Sequence, residues 1–209
     1  MLDVGSGEGM IGFGALEKVG MTGRVIFSDI SEALVDFTRK AAVQMGVQDR
    51  CTFIKAGAED LSAIESESVD LVTTRSVLIY VDDKQRAFRE FYRVLKPGGR
   101  TALFEPIDDK RMTEFSDYWR KRIWADSDSP EAAPIKHLLE RWRGYWERSD
   151  VNEAMTNFNE RDLMQMSIEA EFGAVHIQLF LNAWPMPPWK WETWINSSGN
   201  PLIPTNAEV

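Results

Sequence analysis

The sequence begins with a short apolar strand that runs directly into a glycine-rich turn, Leu2-Asp3-Val4-Gly5-Ser6-Gly7-Glu8-Gly9. Because glycine has no Cβ atom, the backbone of such a turn can bend sharply and approach a ligand closely. The first N–H groups of the following helix have no partner within the helix, so they can bind polar ligand atoms. The pattern therefore predicts a strand–turn–helix unit that holds a nucleotide-type cofactor, and such a unit constrains the chain to an α/β fold.

Strand and helix patterns alternate at short spacing through the first hundred residues. Short apolar or β-branched runs predict strands at residues 2–4, 24–28, 51–55, 69–73 and 100–104. Amphipathic stretches between them predict helices at residues 10–19, 31–45 and 84–95. Later in the chain, a further helix is predicted to begin at Asn159. The apolar run at residues 175–181 predicts a sixth strand. Repeated βαβ units of this kind form a doubly wound, mostly parallel sheet with helices on both faces.

The alternation stops after residue 107, and this divides the chain into four predicted segments. Residues 1–107 form the cofactor-binding core, and residues 108–158, which are charged and helical in propensity, form a helical cap insertion. Residues 159–181 supply the last helix and strand of the core, and residues 182–209 form a tail rich in tryptophan and proline. All eight tryptophans follow residue 118. They either line an apolar ligand pocket or fill the core between the cap helices and the sheet.

Composition argues against several classes of partner. A formal net charge of −9 argues against general affinity for nucleic acid or anionic membranes. No stretch approaches the ~18 apolar residues of a membrane span, and no cluster of cysteine and histidine indicates a metal site. Cys51 is the only cysteine, so no internal disulfide can form, and this predicts a cytoplasmic protein. The expected partner is a small molecule, and the oligomeric state stays open.

Two classes of cofactor compete for the glycine turn. Gly7, Gly9 and Gly12 fit the GxGxxG spacing of dinucleotide-binding turns. Asp29, at the end of the second predicted strand, suits either class because its carboxylate can accept both ribose hydroxyl groups. Asp3 distinguishes the classes, since a carboxylate before the glycines would repel a pyrophosphate but can serve a ligand with an ammonium group. S-adenosylmethionine has an ammonium group and no phosphate, so these residues favour it.

Five segments, in order, resemble the motifs of the class I S-adenosylmethionine-dependent methyltransferases. They are residues 2–9 (LDVGSGEG), 28–31 (SDIS), 57–61 (GAEDL), 69–72 (VDLV) and 93–100 (RVLKPGGR). The chain is similar in particular to the small-molecule branch that includes quinone-biosynthesis C-methyltransferases. The resemblance implies a Rossmann-like sheet of seven strands, S-adenosyl-L-methionine as the cofactor, and an enzyme that methylates a small molecule.

The resemblance also implies roles for ten residues of a cofactor site. They are Asp3, Gly5, Ser6 and Gly7 at the methionine moiety, Asp29 at the ribose, Ile30, Ala58 and Glu59 around the adenine, and Arg75 and Ser76 beside the sulfonium and methyl group. Gly57 departs from the pattern, which usually has aspartate there. The adenine amino group therefore lacks one partner unless Glu59 or Asp60 replaces it. Arg75 fits a structural ion pair as well as it fits a functional role.

The catalytic residues stay open at this point. Methyl transfer depends mainly on holding the nucleophile and the methyl group in line, and a base is needed only if the acceptor must lose a proton. Glu105, at the end of the fifth predicted strand, is a candidate base, and Tyr80 is either a catalytic phenol or a packing aromatic.

Two other functions are compatible with the sequence. An NAD(P)-dependent oxidoreductase would use the same glycines and Asp29, although the chain has no recognisable Tyr-x-x-x-Lys set. A non-catalytic domain that resembles methyltransferases is the second alternative. Six predicted strands stand where the resemblance implies seven, and no helix precedes the first strand. We therefore expect the chain to be truncated at both ends.

Overall fold

Strands and helices alternate through the computed structural model, which describes residues 1–107 and 158–179. The strands of this part are β1 (Leu2–Val4), β2 (Val25–Asp29), β3 (Cys51–Lys55), β4 (Val69–Arg75) and β5 (Leu95–Phe104). Its α-helices are α1 (Met10–Leu16), α2 (Glu32–Gln44), α3 (Lys84–Val94) and α4 (Glu160–Glu169). Short 3-10 helices at Gln48–Arg50 and Leu78–Tyr80 precede β3 and α3.

The five described strands form one parallel sheet in the order β3-β2-β1-β4-β5. β1 lies in the middle, where Leu2 pairs with Ile26 of β2 on one side and with Val72 of β4 on the other. All three residues of β1 are buried, as expected for a central parallel strand that is covered on both faces. The prediction of a mostly parallel α/β sheet is therefore confirmed.

Pairing between neighbouring strands sets element boundaries that the sequence pattern misplaces. β4 runs two residues beyond its predicted end, since Arg75 still pairs with Phe104 of β5. β5 begins at Leu95 rather than at residue 100, because Leu95 pairs with Val69 ahead of a register irregularity in the ladder. Backbone hydrogen bonds thus extend both strands past their apolar runs.

Side-chain caps begin three of the helices. The side chain of Ser31 accepts a hydrogen bond from a backbone N–H group in the first turn of α2, and Asp83 does the same for α3. Asn159 and Asp162 form a reciprocal capping box at the start of α4. The predicted helix starts at Ser31 and Asn159 are therefore confirmed. Among the described helices, none has the combination of length and apolar character needed to span a bilayer.

The chain divides into two compact units, and the sheet belongs to the first, Met1–Asp108 with Ala154–Val175. Within this unit α4 packs against α3, and Gln85 Nε2 donates a hydrogen bond to the carbonyl of Met166 (3.3 Å). The second unit, Asp109–Glu153 with His176–Val209, lies outside the described residues apart from residues 176–179. The tryptophan-rich cap and the tail fall on this undescribed part, so they stay predictions.

The predicted sixth strand is not found in the part of it that the structure describes. Residues 175–179 have no regular secondary structure and pair with none of the described strands. Val175 and Leu179 are 37% and 56% exposed, whereas a half-buried strand would cover one face. An alternating apolar pattern favours an extended backbone, but a strand also needs a neighbouring edge for its hydrogen bonds. Residues 180–181 lie outside the described residues.

Candidate functional site

The strand order places the candidate site at the carboxyl ends of β1 and β4. The sheet continues from β1 through β2 and β3 on one side, and through β4 and β5 on the other. In open α/β sheets, ligands bind where the strand order reverses in this way, because the loops after the two neighbouring strands diverge. Here those loops begin at Gly5 and at Ser76, both of which are predicted cofactor residues.

The loop after β1 depends on glycine for its conformation. Gly5, Gly7 and Gly9 have φ angles of +62°, +53° and +86°, in the left-handed region that side chains disfavour. A Cβ atom on Gly5 would lie 2.4 Å from Cγ2 of Val77, so only glycine permits this contact with the loop after β4. A Cβ atom on Gly7 would meet no described atom within 4 Å. Within the described part of the chain, the space beside the Gly7 Cα atom is therefore open to a ligand, while the Gly7 N–H and carbonyl groups are hydrogen-bonded to Asp29 and Thr38.

Asp3 is a buried carboxyl group that joins three elements of the site. It is 2% exposed. Its Oδ1 accepts a hydrogen bond from the Thr73 hydroxyl group of β4, and its Oδ2 accepts one from the Gly12 N–H group of α1, both at 2.9 Å. Burial raises the pKa of Asp3 to about 6, and these two hydrogen bonds oppose the shift. Asp3 therefore anchors β1, α1 and β4, while each oxygen keeps acceptor capacity.

Asp29 ties the end of β2 to the glycine loop. Its Oδ2 accepts a hydrogen bond from the Gly7 N–H group and its Oδ1 accepts one from the Ser31 N–H group, both at 2.9 Å. The residue is 7% exposed, and a carboxylate offers about four lone-pair positions, of which hydrogen bonds from the described residues use two. The predicted role of Asp29, accepting hydrogen bonds from two ribose hydroxyl groups, would use the remaining positions. The next residue, Ile30, is 68% exposed.

The loop at residues 57–61 lies against Ile30. A Cβ atom on Gly57 would lie 3.0 Å from Cγ2 of Ile30, so two of the segments assigned to the adenine are adjacent. Ala58 is buried. The Oε1 atom of Glu59 accepts a hydrogen bond of 2.6 Å from the backbone N–H group of Asp83, just before α3. One oxygen of Glu59 is therefore engaged in holding the loop to α3.

The last residue of β4 and the first residue of the turn after it are the last two predicted cofactor residues. Arg75 is exposed at the end of the strand, and its guanidinium group forms no ion pair with the described carboxylates. Ser76 has a φ angle of +57°, which is uncommon for a residue other than glycine. Its N–H group donates a hydrogen bond to the Phe104 carbonyl (2.9 Å). A strained residue therefore sits where the chain leaves the sheet.

Glu105, the candidate general base, is hydrogen-bonded to the end of β4 and to the turn that follows it. Its Oε1 accepts a hydrogen bond from the Thr74 hydroxyl group (2.6 Å), and its Oε2 accepts from the N–H groups of Val77 (2.8 Å) and Leu78 (2.9 Å). Burial raises the pKa of Glu105, and the hydrogen bonds oppose that shift. Burial, and then the charge of Glu105, raise the pKa of Tyr80. Sequence reasoning missed Thr74 and Val77, since only the register of β4 against β5 brings them to Glu105.

One polar side-chain atom of the glycine loop has no hydrogen-bond partner among the described residues. The Ser6 N–H group donates a hydrogen bond to the Ser28 carbonyl (2.9 Å). The Ser6 hydroxyl oxygen is buried and forms no hydrogen bond with any described residue. Buried hydroxyl groups usually have a partner, so this oxygen is suited to contact a bound ligand.

Comparison with known proteins agrees with this geometry. Residues 2–103 match the family described as methyltransferase domain. The chain is 35% identical over 182 residues to the ubiquinone/menaquinone biosynthesis C-methyltransferase UbiE of an Enterobacter strain, covering 84% of this chain and 72% of that protein. It is 28% identical over 191 residues to the protein of the same name from Psychromonas ingrahamii, with the same two coverages.

A solved structure is similar in fold. It is that of a candidate methyltransferase from Bacillus halodurans, with a TM-score of 0.55 and 20% sequence identity. The match covers 81% of this chain and 60% of that one. At this identity the likeness concerns the fold alone, and it agrees with the parallel sheet described above.

Proposed function

Because the chain belongs to the class I S-adenosylmethionine-dependent methyltransferases, we propose that it methylates a small-molecule acceptor beside the turn after β4. Its cofactor is S-adenosyl-L-methionine, which supplies a methyl group activated by the attached sulfonium when it is bound. The observation that carries the proposed site is Asp29, whose carboxylate is tied to the Gly7 N–H group at the switch point and keeps free acceptor positions.

The residues present fit this cofactor. The space beside the Gly7 Cα atom is open among the described residues, and the buried Ser6 hydroxyl oxygen has no partner among them. Both features lie in the loop between Asp3 and α1, where a ligand with amino and carboxylate groups could use them. The exposed Ile30 side chain, adjacent to Gly57, offers an apolar surface for a flat ring.

We assign the ten predicted residues to parts of the cofactor on this basis. Asp29 would hold the ribose hydroxyl groups, and Ile30, Ala58 and Glu59 would border the adenine. The methionine moiety would lie against Asp3, Gly5, Ser6 and Gly7, and Arg75 and Ser76 would lie at its methyl end. Glu59 has one oxygen engaged by Asp83, so its second oxygen is the one available to the adenine edge.

The acceptor we propose is a small molecule methylated at carbon. Two relatives are named C-methyltransferases of ubiquinone and menaquinone biosynthesis, which makes an electron-rich ring carbon the first class to test. The residues of this chain would act mainly by orienting the two reactants. The net charge of −9 supports a small-molecule acceptor over a nucleic acid. The lone cysteine supports a cytoplasmic location.

Calorimetric titration with S-adenosylhomocysteine, and with NAD in parallel, tests the proposed site. We expect micromolar binding of S-adenosylhomocysteine, no heat from NAD, and loss of binding in Asp29→Ala. Asp36→Ala is the matched control, because this aspartate lies exposed on α2 in an ion pair with Arg39. Binding of NAD alone would favour an oxidoreductase instead. Heat from neither ligand would favour a non-catalytic domain, and thermal melting shows whether each variant is folded.

A further inference from the structure

Glu105 bridges the end of β5 to the turn after β4. Three donors lie 2.6 to 2.9 Å from its carboxylate oxygens, namely the Thr74 hydroxyl group and the N–H groups of Val77 and Leu78, and the Ile79 N–H group also lowers its pKa. Two of these donors are backbone groups of the turn itself. The position of Glu105 therefore determines where the turn lies relative to the sheet.

The turn that Glu105 holds is strained. Ser76 has a φ angle of +57°, which a residue with a side chain adopts only when its surroundings impose it. The Ser76 N–H group is held by the Phe104 carbonyl on one side. The next two N–H groups are held by Glu105 on the other. Without the carboxylate, the turn would lose two of these three hydrogen bonds.

The same turn contacts the glycine loop. The Val77 side chain fills the space beside Gly5, where a Cβ atom would lie 2.4 Å from Val77 Cγ2. The Val77 N–H group therefore donates a hydrogen bond to Glu105, while the Val77 side chain contacts the loop after β1. A continuous set of contacts leads from Glu105 through Val77 to Gly5.

We propose that Glu105 is a positioning residue that holds Val77 against Gly5 and so keeps the glycine loop in the conformation that binds the cofactor. This inference rests on the proposed cofactor site. These hydrogen bonds do not require a charged Glu105, because a protonated Oε1 can donate to the Thr74 hydroxyl oxygen while Oε2 still accepts from both N–H groups. The charge of Glu105 acts on two described ionisable groups. It raises the pKa of Tyr80, and it opposes the burial that lowers the pKa of Lys84.

Two substitutions in the full chain separate positioning from proton transfer, with the affinity for S-adenosylhomocysteine as the readout. In Glu105→Ala the turn loses the hydrogen bonds from Val77 and Leu78, and β4 loses the one from Thr74, so we expect about tenfold weaker binding. In Glu105→Gln the amide oxygen can accept from Val77 and Leu78 and the amide nitrogen can donate to Thr74. This variant should bind within about threefold of the wild type. Glu65→Ala is the control, because this glutamate is exposed and its carboxylate forms no hydrogen bond with the described residues.

Thr74→Val keeps the proposal testable if Glu105→Ala does not fold. This variant removes only the hydroxyl donor and preserves the side-chain shape, and we expect about threefold weaker binding. Unchanged affinity in both Glu105→Ala and Thr74→Val overturns the positioning role, as would be expected if Glu105 were only a base. Equal losses in Glu105→Ala and Glu105→Gln also overturn it, because charge and not hydrogen-bond geometry would then matter. Absence of binding by the wild type would overturn the proposed cofactor site itself.

Discussion

The Asp3 carboxyl group holds its proton more tightly in the folded protein than in the unfolded chain. Burial raises its pKa from an ordinary value of 3.8 to about 6, since a charged group loses hydration in the interior. A carboxyl group with a raised pKa contributes most to stability when it is protonated. That contribution is fully present below the unfolded pKa and is lost as the pH rises through about 6. For a shift of about two units it amounts to about 3 kcal/mol.

Asp3→Asn should remove this pH dependence. An amide of the same shape can accept from the Gly12 N–H group and donate to the Thr73 hydroxyl oxygen. We expect the variant to gain about 2–3 kcal/mol in unfolding free energy relative to the wild type as the pH rises from about 4 to about 7.5. Urea denaturation across this range measures the difference. Asp49→Asn, at an exposed position, is the control. A relative gain by the wild type over the same range would show that the pKa of Asp3 is lowered instead.

At this scale the sequence predicts which carboxylates belong to the site, but not what they contact. Asp3 and Asp29 follow from their positions beside the glycine turn and at a strand end. Their donors do not follow, because Thr73 lies 70 residues from Asp3 and meets it only through the register of β1 against β4. Glu105 is recognisable as an acidic residue at a strand end, yet its three donors depend on the register of β4 against β5. Roles that depend on register require the structure.

Helix α1 reaches the sheet closely because one of its glycines has no side chain. A Cβ atom on Gly12 would lie 2.1 Å from Cε1 of Phe27. Phe27 is 1% exposed and its ring lies between those of Phe13 and Phe53, with centroid distances of 4.9 and 5.4 Å. This ring therefore has little room to move away. Gly14, one half-turn further along α1, has no described atom within 4 Å of its Cβ position.

The two glycines of α1 form a matched pair for substitution by alanine. Gly12→Ala should lower the unfolding free energy by about 1–3 kcal/mol, because the added methyl group overpacks the contact with Phe27. Gly14→Ala should leave stability unchanged or raise it by up to about 1 kcal/mol, since alanine is the better helix former. Denaturant unfolding measures both. Equal effects of the two substitutions would contradict the packing of α1 on β2 seen here.

Periodicity predicts the helices of the first hundred residues because each helix has a covered and an open side, and short apolar runs predict the strands because a central parallel strand such as β1 is buried on both faces. The caps at Ser31 and Asn159 are also readable, since they are local side-chain chemistry. The ends of strands are harder to predict from the sequence, because β4 and β5 extend as far as their backbone pairing continues. The run at residues 175–179 shows the same limit, since it has an apolar alternation but no partner among the described strands.

At the scale of the whole molecule, the order of the strands carries the functional conclusion. The loops assigned to the cofactor are far apart along the chain, but parallel strands bring their carboxyl ends to one edge of the sheet. Alternating strand and helix patterns predict this arrangement without any contact being known. The links between the loops are not predictable in this way, since the Asp29–Gly7 and Glu105–Val77 hydrogen bonds are tertiary. Predictions for the tryptophan-rich cap lie outside the described residues.

Hydrogen exchange on the full chain, with and without S-adenosylhomocysteine, tests whether binding is confined to that edge. A ligand at about a hundred times its Kd stabilises the bound state by about 2.7 kcal/mol. Amides that exchange only when the site opens should therefore slow by about a hundredfold. We expect this protection at the carboxyl ends of the strands, in residues 5–9, 29–31, 57–59 and 76–78. Amides at the opposite edge, in residues 20–24, 48–50 and 66–68, should change little.

The Asp29→Ala variant is the control for this experiment, because without binding the protection at the carboxyl ends of the strands should vanish. Protection of the amino ends alone would contradict a site at the switch point. Protection spread evenly over both edges would indicate that binding stabilises the sheet as one cooperative unit. Peptides that contain Gly5 and Val77 are the most informative, since these residues are in contact across the two loops. If Glu105 holds the loops together, protection of these two peptides should decrease in parallel in Glu105→Ala and recover in Glu105→Gln.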